Sequence, residues 1–278
     1  MNATAQYCPP GAATACTAVL IVALCSTEAD QCEDIRSTLR GTGAFATVDI
    51  FDASSAAPAA AQLAAYHAVL VCSAADDAGL LGDRLAAYHD QGGGVVVTFA
   101  ANMLSYGANL QGAYGAAANG YALMDYASGG YVVPSDSLGD VLEPQSPLMA
   151  GVASLAATHA YRSTAPVIAG RGVVVARWGG GGREPLVLRG QRGNRTLVEL
   201  NFNPVSSNFF SAWWTGDGAL LLRNALKYSR CMPCGPGTFA AAGAQCRWWG
   251  NVACITCSWG QCEVGRCSRM GGRCQVWA

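Results

Sequence analysis

The chain has 278 residues, of which 51% are hydrophobic and 13% are charged, and its formal net charge is -1. This length allows one substantial α/β core and a small second module. The 17 basic side chains form no stripe along the sequence, which argues against a nucleic-acid-binding protein. Because so few charges leave little repulsion between copies, self-association is expected.

A cysteine-containing lead, residues 1–16, precedes the apolar run from Thr17 to Cys25. The run is shorter than the roughly 18 to 20 apolar residues that cross a bilayer, and no Lys or Arg precedes it as in a signal peptide. We therefore interpret it as a buried strand and predict no membrane span. A secreted protein still needs a signal, so we expect the sequence to be a mature chain or part of a longer precursor.

Strands and helices alternate after this lead. Apolar runs of strand length cover residues 18–24, 48–51, 66–72 and 94–99, and helical periodicity covers residues 28–40 and 78–90. This alternation predicts an α/β fold with a doubly wound, flavodoxin-like, mainly parallel sheet over residues 17–230.

Longer segments carry a family resemblance. The leading apolar strand is followed by Leu39-Arg-Gly-Thr-Gly, Tyr66-His-Ala-Val-Leu-Val-Cys and Leu85-Ala-Ala-Tyr-His-Asp-Gln-Gly-Gly-Gly-Val-Val-Val. This succession resembles the class I glutamine amidotransferase-like superfamily, which includes the ThuA-like and DJ-1/PfpI-like groups. Later segments resemble the ThuA-like branch: Pro147-Leu-Met-Ala-Gly-Val, Val173-Val-Val-Ala-Arg-Trp, Glu184-Pro-Leu-Val-Leu and Asp217-Gly-Ala-Leu-Leu-Leu-Arg-Asn-Ala-Leu. The resemblance spans residues 18–229.

The resemblance implies a catalytic cysteine on the turn after the fourth strand, but this chain has none there. It continues from Thr98 and Phe99 into Ala100-Ala101-Asn102-Met103, and we expect Thr98 to lie inside the strand. The late strand Thr196-Leu-Val-Glu-Leu leads into a region without the histidine that would activate a thiol, and Glu199 stands alone. We predict no catalytic residue and interpret the domain as a pseudoenzyme.

Other titratable side chains receive structural interpretations. His67, His89 and His159 are expected in surface or capping roles, and no pair of them has metal-ligand spacing, so we predict no metal or other cofactor. Cys25 and Cys72 end neighbouring strands and either could be a nucleophile, although a disulfide between them is favoured, with Cys32 as a competing partner. Cys8 and Cys16 form another candidate pair.

Eight cysteines fall within residues 231–278, too many for a segment of this size to fold by hydrophobic burial alone. Two Cys-x-x-Cys pairs separated by 19 residues would suit a four-thiolate zinc site, but the additional cysteines favour a disulfide-stapled module. Its opening, Cys231-Met-Pro-Cys234-Gly-Pro-Gly-Thr-Phe, resembles extracellular cysteine-rich repeats. The disulfide candidates of the whole chain are Cys8, Cys16, Cys25, Cys32, Cys72, Cys231, Cys234, Cys246, Cys254, Cys257, Cys262, Cys267 and Cys274. Because 13 is odd, one cysteine must be free or bond another chain.

Glycosylation sequons and tryptophans add to this interpretation. Asn2 and Asn194 each begin an Asn-x-Thr sequon and are candidates for N-linked glycans. The interface candidates are Trp213, Trp214, Trp248, Trp249, Trp259 and Trp277, which cluster towards the carboxyl terminus, where a disulfide-built module has little core. We expect core packing for one of Trp213 and Trp214, and both an interface and ordinary packing stay open for the other four. Residues 106–131, rich in Gly, Ala and Tyr, predict a long irregular insertion that is functional or ordered by a partner.

Together these features predict a non-catalytic, secreted or cell-surface structural glycoprotein that self-assembles into an extracellular filament, appendage or wall layer. A carbohydrate-binding or adhesion module is the alternative. A third possibility is a ThuA-like enzyme acting on sugars or small molecules, with its site at the carboxyl edge of the sheet near Ser73, Asp76, Asn102 and Tyr106.

Overall fold

The computed structural model describes residues 16–22, 29–53, 56–72, 77–102, 109–181, 183–193, 195–207 and 213–230, together with four short strands nearer the carboxyl terminus. The helices are α1 (Ala29–Gly41), α2 (Ala60–Ala64), α3 (Ala78–Asp90), α4 (Gly112–Gly115) and α5 (Gly218–Arg230). The strands are β1 (Cys16–Val22), β2 (Phe45–Asp52), β3 (Ala68–Val71), β4 (Gly94–Thr98), β5 (Tyr131–Val132), β6 (Asp136–Val141), β7 (Leu155–Ala157), β8 (Arg162–Ser163), β9 (Val173–Trp178), β10 (Pro185–Arg192), β11 (Arg195–Leu200), β12 (Trp214–Gly216), β13 (Arg247–Trp249), β14 (Val252–Cys254), β15 (Arg266–Met270) and β16 (Arg273–Trp277). Within these ranges, no helix is long and apolar enough to cross a bilayer.

One large sheet has the strand order β12-β7-β6-β9-β10-β11-β4-β3-β1-β2. Its second half, β11-β4-β3-β1-β2, is entirely parallel. Counted along the chain, these parallel strands follow the 2-1-3-4-5 order of flavodoxin-like sheets. This half therefore has the predicted architecture.

The first half of the sheet is antiparallel, so the prediction of a mainly parallel sheet is wrong there. A parallel pair needs a crossover of a dozen or more residues, whereas β10 ends at Arg192 and β11 begins at Arg195. Gly193, with φ of 59°, supplies the left-handed backbone for this tight reversal. The whole sheet is therefore mixed.

Helices cover both faces of the parallel half, as the doubly wound prediction requires. On one face, α1 contributes Cys32, Ile35 and Leu39, which pack with α5. On the other face, α3 contributes Leu81 and Leu85, which pack with α2 and α4. These apolar residues repeat at helical spacing, and this is why the local sequence pattern predicted both helices correctly.

The boundaries of α3 follow from its sequence. The Asp77 side chain accepts the backbone N–H of Leu80 at 2.9 Å and so caps the first turn. After the helix, Gly92 adopts a φ of 105°, which a residue with a side chain rarely tolerates. The predicted range, residues 78–90, is confirmed.

Two small antiparallel hairpins, β13–β14 and β15–β16, lie within residues 231–278. The structure describes these four strands by their backbone. The disulfide-stapled module, and the boundaries after residues 16 and 230, stay predictions.

Candidate functional site

The turn after β4 occupies the place of the catalytic cysteine in the superfamily that the sequence resembles. It is a 3-10 turn, Phe99–Asn102, in which Phe99 and Ala101 are buried and Asn102 is half-buried. Thr98 lies inside β4, as predicted, and its hydroxyl donates to the carbonyl oxygens of Val71 and Cys72 at 3.3 Å each. The turn itself therefore carries no nucleophile.

Glu199 is the buried acidic group at this edge of the sheet. It lies on β11, opposite Val97 of the parallel strand β4, and is 3% exposed. Its Oε1 accepts the backbone N–H of Leu123 at 2.7 Å, and its Oε2 accepts the Tyr126 hydroxyl at 2.9 Å. Burial raises the pKa of Glu199 to about 7, although these hydrogen bonds act in the opposite direction.

A short polar chain leads from Glu199 towards the turn after β4. Tyr126 donates its hydroxyl to Glu199 and is also hydrogen-bonded to the Asn102 side chain. Burial, together with the nearby Glu199, holds the pKa of Tyr126 well above its usual value. Sequence reasoning noted Glu199 and Asn102 separately and missed Tyr126, for which the only signal was the tyrosine-rich insertion.

The chemistry open to this arrangement is proton exchange and hydrogen bonding. A carboxyl group with a pKa near 7 can take up or release a proton near neutral pH. Both of its oxygens accept hydrogen bonds from the segment that contains Leu123 and Tyr126. We conclude that Glu199 anchors the segment containing those residues.

The two cysteines whose side chains the structure describes are in different oxidation states. Cys32 is disulfide-bonded, whereas Cys72 is a free thiol. The favoured pairing of Cys25 with Cys72 is therefore wrong, because Cys72 points into the core beneath α1 and α5. Burial also raises the pKa of the Cys72 thiol, which disfavours the thiolate that an activated nucleophile needs. The side chains of the other candidate cysteines, Cys25 included, lie outside the described residues.

These two states predict different labelling by iodoacetamide. Cys72 should stay unmodified in the native protein without reductant and should react once the chain is unfolded, because unfolding removes the burial. Cys32 should react only after reduction and unfolding. Peptide-resolved mass spectrometry separates the two sites. Rapid native labelling of Cys72, or labelling of Cys32 without reductant, would contradict these assignments.

The histidines occupy three different environments. His159 is exposed and His67 is half-buried just before β3, as predicted. The prediction is wrong for His89, which is 1% exposed at the end of α3. Its Nε2 lies 3.1 Å from the Thr196 carbonyl oxygen, and two tyrosine rings, those of Tyr114 and Tyr121, meet it edge-on. Burial lowers the pKa of His89, which is a core residue.

The tryptophans predicted at an interface differ in burial. Trp214 is 6% exposed and belongs to the core beneath α5, so its candidacy as an interface residue is wrong. Trp213 is half-buried, and its ring centroid lies 6.1 Å from that of Tyr161. The candidates whose side chains lie outside the described residues are Trp248, Trp249, Trp259 and Trp277, and the same holds for the glycosylation candidates Asn2 and Asn194.

Of the residues named for an enzymatic site, only Asn102 falls in the described part of the chain, because Ser73, Asp76 and Tyr106 lie outside it. Among the described residues, no group of three or more His, Cys, Asp or Glu side chains could hold a metal ion.

Neither a protein-family model nor a curated protein matches this chain. Its structure is similar to that of a ThuA-like protein of Bacteroides uniformis, with a TM-score of 0.55, 19% identity, and coverage of 80% of this chain and 94% of that one. It is also similar to a cytoplasmic protein of Salmonella typhimurium, with a TM-score of 0.51, 14% identity, and coverage of 70% and 85%. At these identities the likeness concerns the fold alone. The chain thus has a fold shared with a ThuA-like protein.

Proposed function

We propose that the chain is a non-catalytic, secreted structural glycoprotein that self-assembles into an extracellular filament, appendage or wall layer. The observation that carries this proposal is the composition of the turn after β4 together with the engagement of Glu199, among the described residues at the carboxyl edge of the sheet. The turn after β4 offers Phe99, two alanines and Asn102, and both oxygens of Glu199 are held by Leu123 and Tyr126. Nucleophilic catalysis requires a nucleophile beside a free base, and the described residues at this edge supply neither.

An extracellular location is supported by the cysteines and the sequons. The Cys32 disulfide is of a kind that persists in oxidising compartments. The cysteine-dense segment 231–278 and the sequons at Asn2 and Asn194 fit the same environment, in which N-linked glycans would be attached.

Assembly is supported by the low charge of the chain, since 13% charged residues leave little repulsion between copies. The buried thiol of Cys72 accounts for the odd cysteine, because an even number then remains for pairing within the chain. The proposed assembly is therefore non-covalent.

Negative-stain imaging of the native protein, and measurement of its mass with and without reductant, test this proposal. Ordered polymers that survive thiol treatment are the expected result. Polymers that fall apart on reduction would support assembly but would show that a cysteine other than Cys72 links the subunits. A clean monomer under both conditions, at concentrations typical of secreted proteins, would overturn the proposal.

Carbohydrate binding is the second candidate, favoured by aromatic rings at the surface. Tyr131 is 40% exposed, and its ring centroid lies 6.3 Å from that of Phe99. Exposed aromatic faces can stack on sugar rings. A glycan array with the wild-type chain and the Tyr131→Ala variant tests this candidate. A wild-type chain that binds no glycan on the array would contradict it.

Turnover of a sugar that is lost in Asn102→Ala would instead establish the third candidate, a ThuA-like enzyme.

A further inference from the structure

Residues 109–132, here called the cover segment, lie across the α3 face of the sheet. The segment is joined to the sheet domain at its start, where Leu110 donates its N–H to the Ala101 carbonyl oxygen at 2.7 Å. Gln111 approaches α3 so closely that a Cβ on Gly82 would lie 1.7 Å from its carbonyl oxygen. The beginning of the segment is thus fixed on α3 by backbone contacts and by the Ala113 N–H, which donates to the Asp83 side chain at 2.7 Å.

The middle of the cover segment is held by backbone hydrogen bonds of residues 123 and 125 to residues 166–168, each 2.9 Å long, and in addition by one buried acidic side chain. Both oxygens of Glu199 are bound by this segment, one by the Leu123 N–H at 2.7 Å and the other by the Tyr126 hydroxyl at 2.9 Å. The backbone of Met124 adds a further hydrogen bond to the same carboxyl group. A change in the charge of Glu199 is therefore felt first by residues 123–126.

No described cation neutralises Glu199. The titratable or charged groups that face it are Tyr114 and Tyr126 from the cover segment and Arg171 from the connection between β8 and β9. Arg171 is engaged elsewhere, because its Nη1 donates to the carbonyl oxygens of Ala117 and Ala122. Within the described residues, no Lys or Arg lies within ion-pair distance of Glu199, and the strand residues opposite it are apolar.

We propose that Glu199 is a proton-operated latch, whose ionisation releases the middle of the cover segment from β11 and admits water to the turn after β4. The physical reason is that a buried carboxylate without a cation is costly. A protonated carboxyl avoids that cost, because one oxygen can still accept the Leu123 N–H while its O–H donates to the Tyr126 hydroxyl oxygen. Release moves the carboxylate into water while the start of the segment stays fixed on α3. This latch is a property of the α/β domain and does not depend on self-assembly.

The direction of the pH effect follows from linkage. Burial raises the pKa of Glu199 to about 7 in the closed state, and in the open state the carboxyl group returns to its ordinary value of 4.5. The open state therefore releases its proton at lower pH, so opening becomes easier as the pH rises from 4.5 to 7 and levels off above that value. His89 packs against the same segment through Tyr114 and Tyr121, and burial lowers its pKa.

Amide hydrogen exchange of the full chain tests the latch, measured by mass spectrometry at about pH 5 and about pH 8 and corrected for the intrinsic chemical rate. Peptides that cover residues 121–128 should lose protection on the order of tenfold to a hundredfold between the two conditions, as the pKa difference requires. Peptides from α3 should change little, because its contacts with residues 110–112 do not titrate.

Two variants make the test decisive. Glu199→Gln keeps an acceptor for the Leu123 N–H and cannot ionise, so the pH dependence should disappear and the segment should stay protected. Tyr126→Phe removes a hydrogen bond that favours the carboxylate, so the pH at which opening levels off should move upward. Equal protection of the wild-type segment at both pH values, or the same pH response in Glu199→Gln, would overturn the proposal. If Glu199→Gln does not fold, an unshifted midpoint in Tyr126→Phe would overturn it alone.

Discussion

Replacing Asn201 by alanine is expected to lower the free energy of unfolding by about 3 kcal/mol or more, because three buried backbone groups lose their partner. The Asn201 side chain accepts the N–H of Ser163 at 2.7 Å and donates to the carbonyl oxygens of Ser163 and Pro185 at 3.0 and 2.9 Å. It thereby joins β8 and β10 to the end of β11. The site is buried, so water cannot readily replace the lost hydrogen bonds. Urea denaturation of both proteins with disulfides intact measures the difference.

Asn203 provides the matched control two residues further along the chain. It is half-buried, and its Oδ1 accepts a long hydrogen bond from the N–H of Val205 at 3.4 Å. Asn203→Ala should therefore cost less than about 1 kcal/mol. Equal losses in the two variants would show that the hydrogen bonds of Asn201 do not carry the effect.

Replacing Arg162 by methionine is expected to destabilise the protein by about 3 to 5 kcal/mol, since it leaves buried carboxylates without their cation. Arg162 is 3% exposed; its Nη1 lies 2.6 Å from Asp136, and its Nε and Nη2 lie 3.0 Å from Glu184. Its guanidinium carbon also lies 5.2 Å from the centre of the Trp178 ring.

A more exposed ion pair in the same half of the sheet provides the control. Arg189 donates two hydrogen bonds of 2.6 Å to Glu143, but both side chains are partly exposed, at 24% and 29%. Arg189→Met should cost less than about 1 kcal/mol. The charge explanation also predicts that adding Asp136→Asn and Glu184→Gln to Arg162→Met restores stability. A triple variant no more stable than Arg162→Met would contradict it.

The parallel half of the sheet could be predicted because its pattern is local. A continuous apolar run such as residues 68–71 indicates a strand buried on both faces, and the spacing of Leu81, Leu85 and Tyr88 indicates a helix. The antiparallel half was missed because short apolar runs such as β10 and β11 fit either strand direction. What distinguishes them is the turn between them, for example at Gly193.

The candidate site could be predicted only in part. The empty turn at residues 99–102 is visible in the sequence, and Glu199 was noted as a lone acid in an apolar strand. Its partners Leu123 and Tyr126 lie 76 and 73 residues away along the chain. No local periodicity connects positions so far apart, and the tyrosine-rich insertion containing them was predicted only as irregular.

The sequence by itself determined the composition of the turn after β4, the cysteine density of residues 231–278 and the alternation of strands and helices, since these are properties of neighbouring residues. Only the tertiary structure decided that Cys72 is free, that His89 and Trp214 are buried, and that Glu199 is enclosed by the cover segment. The physical reason is that burial and hydrogen-bond partners are set by contacts between distant segments. The burial that these contacts cause raises the pKa of Glu199 to about 7.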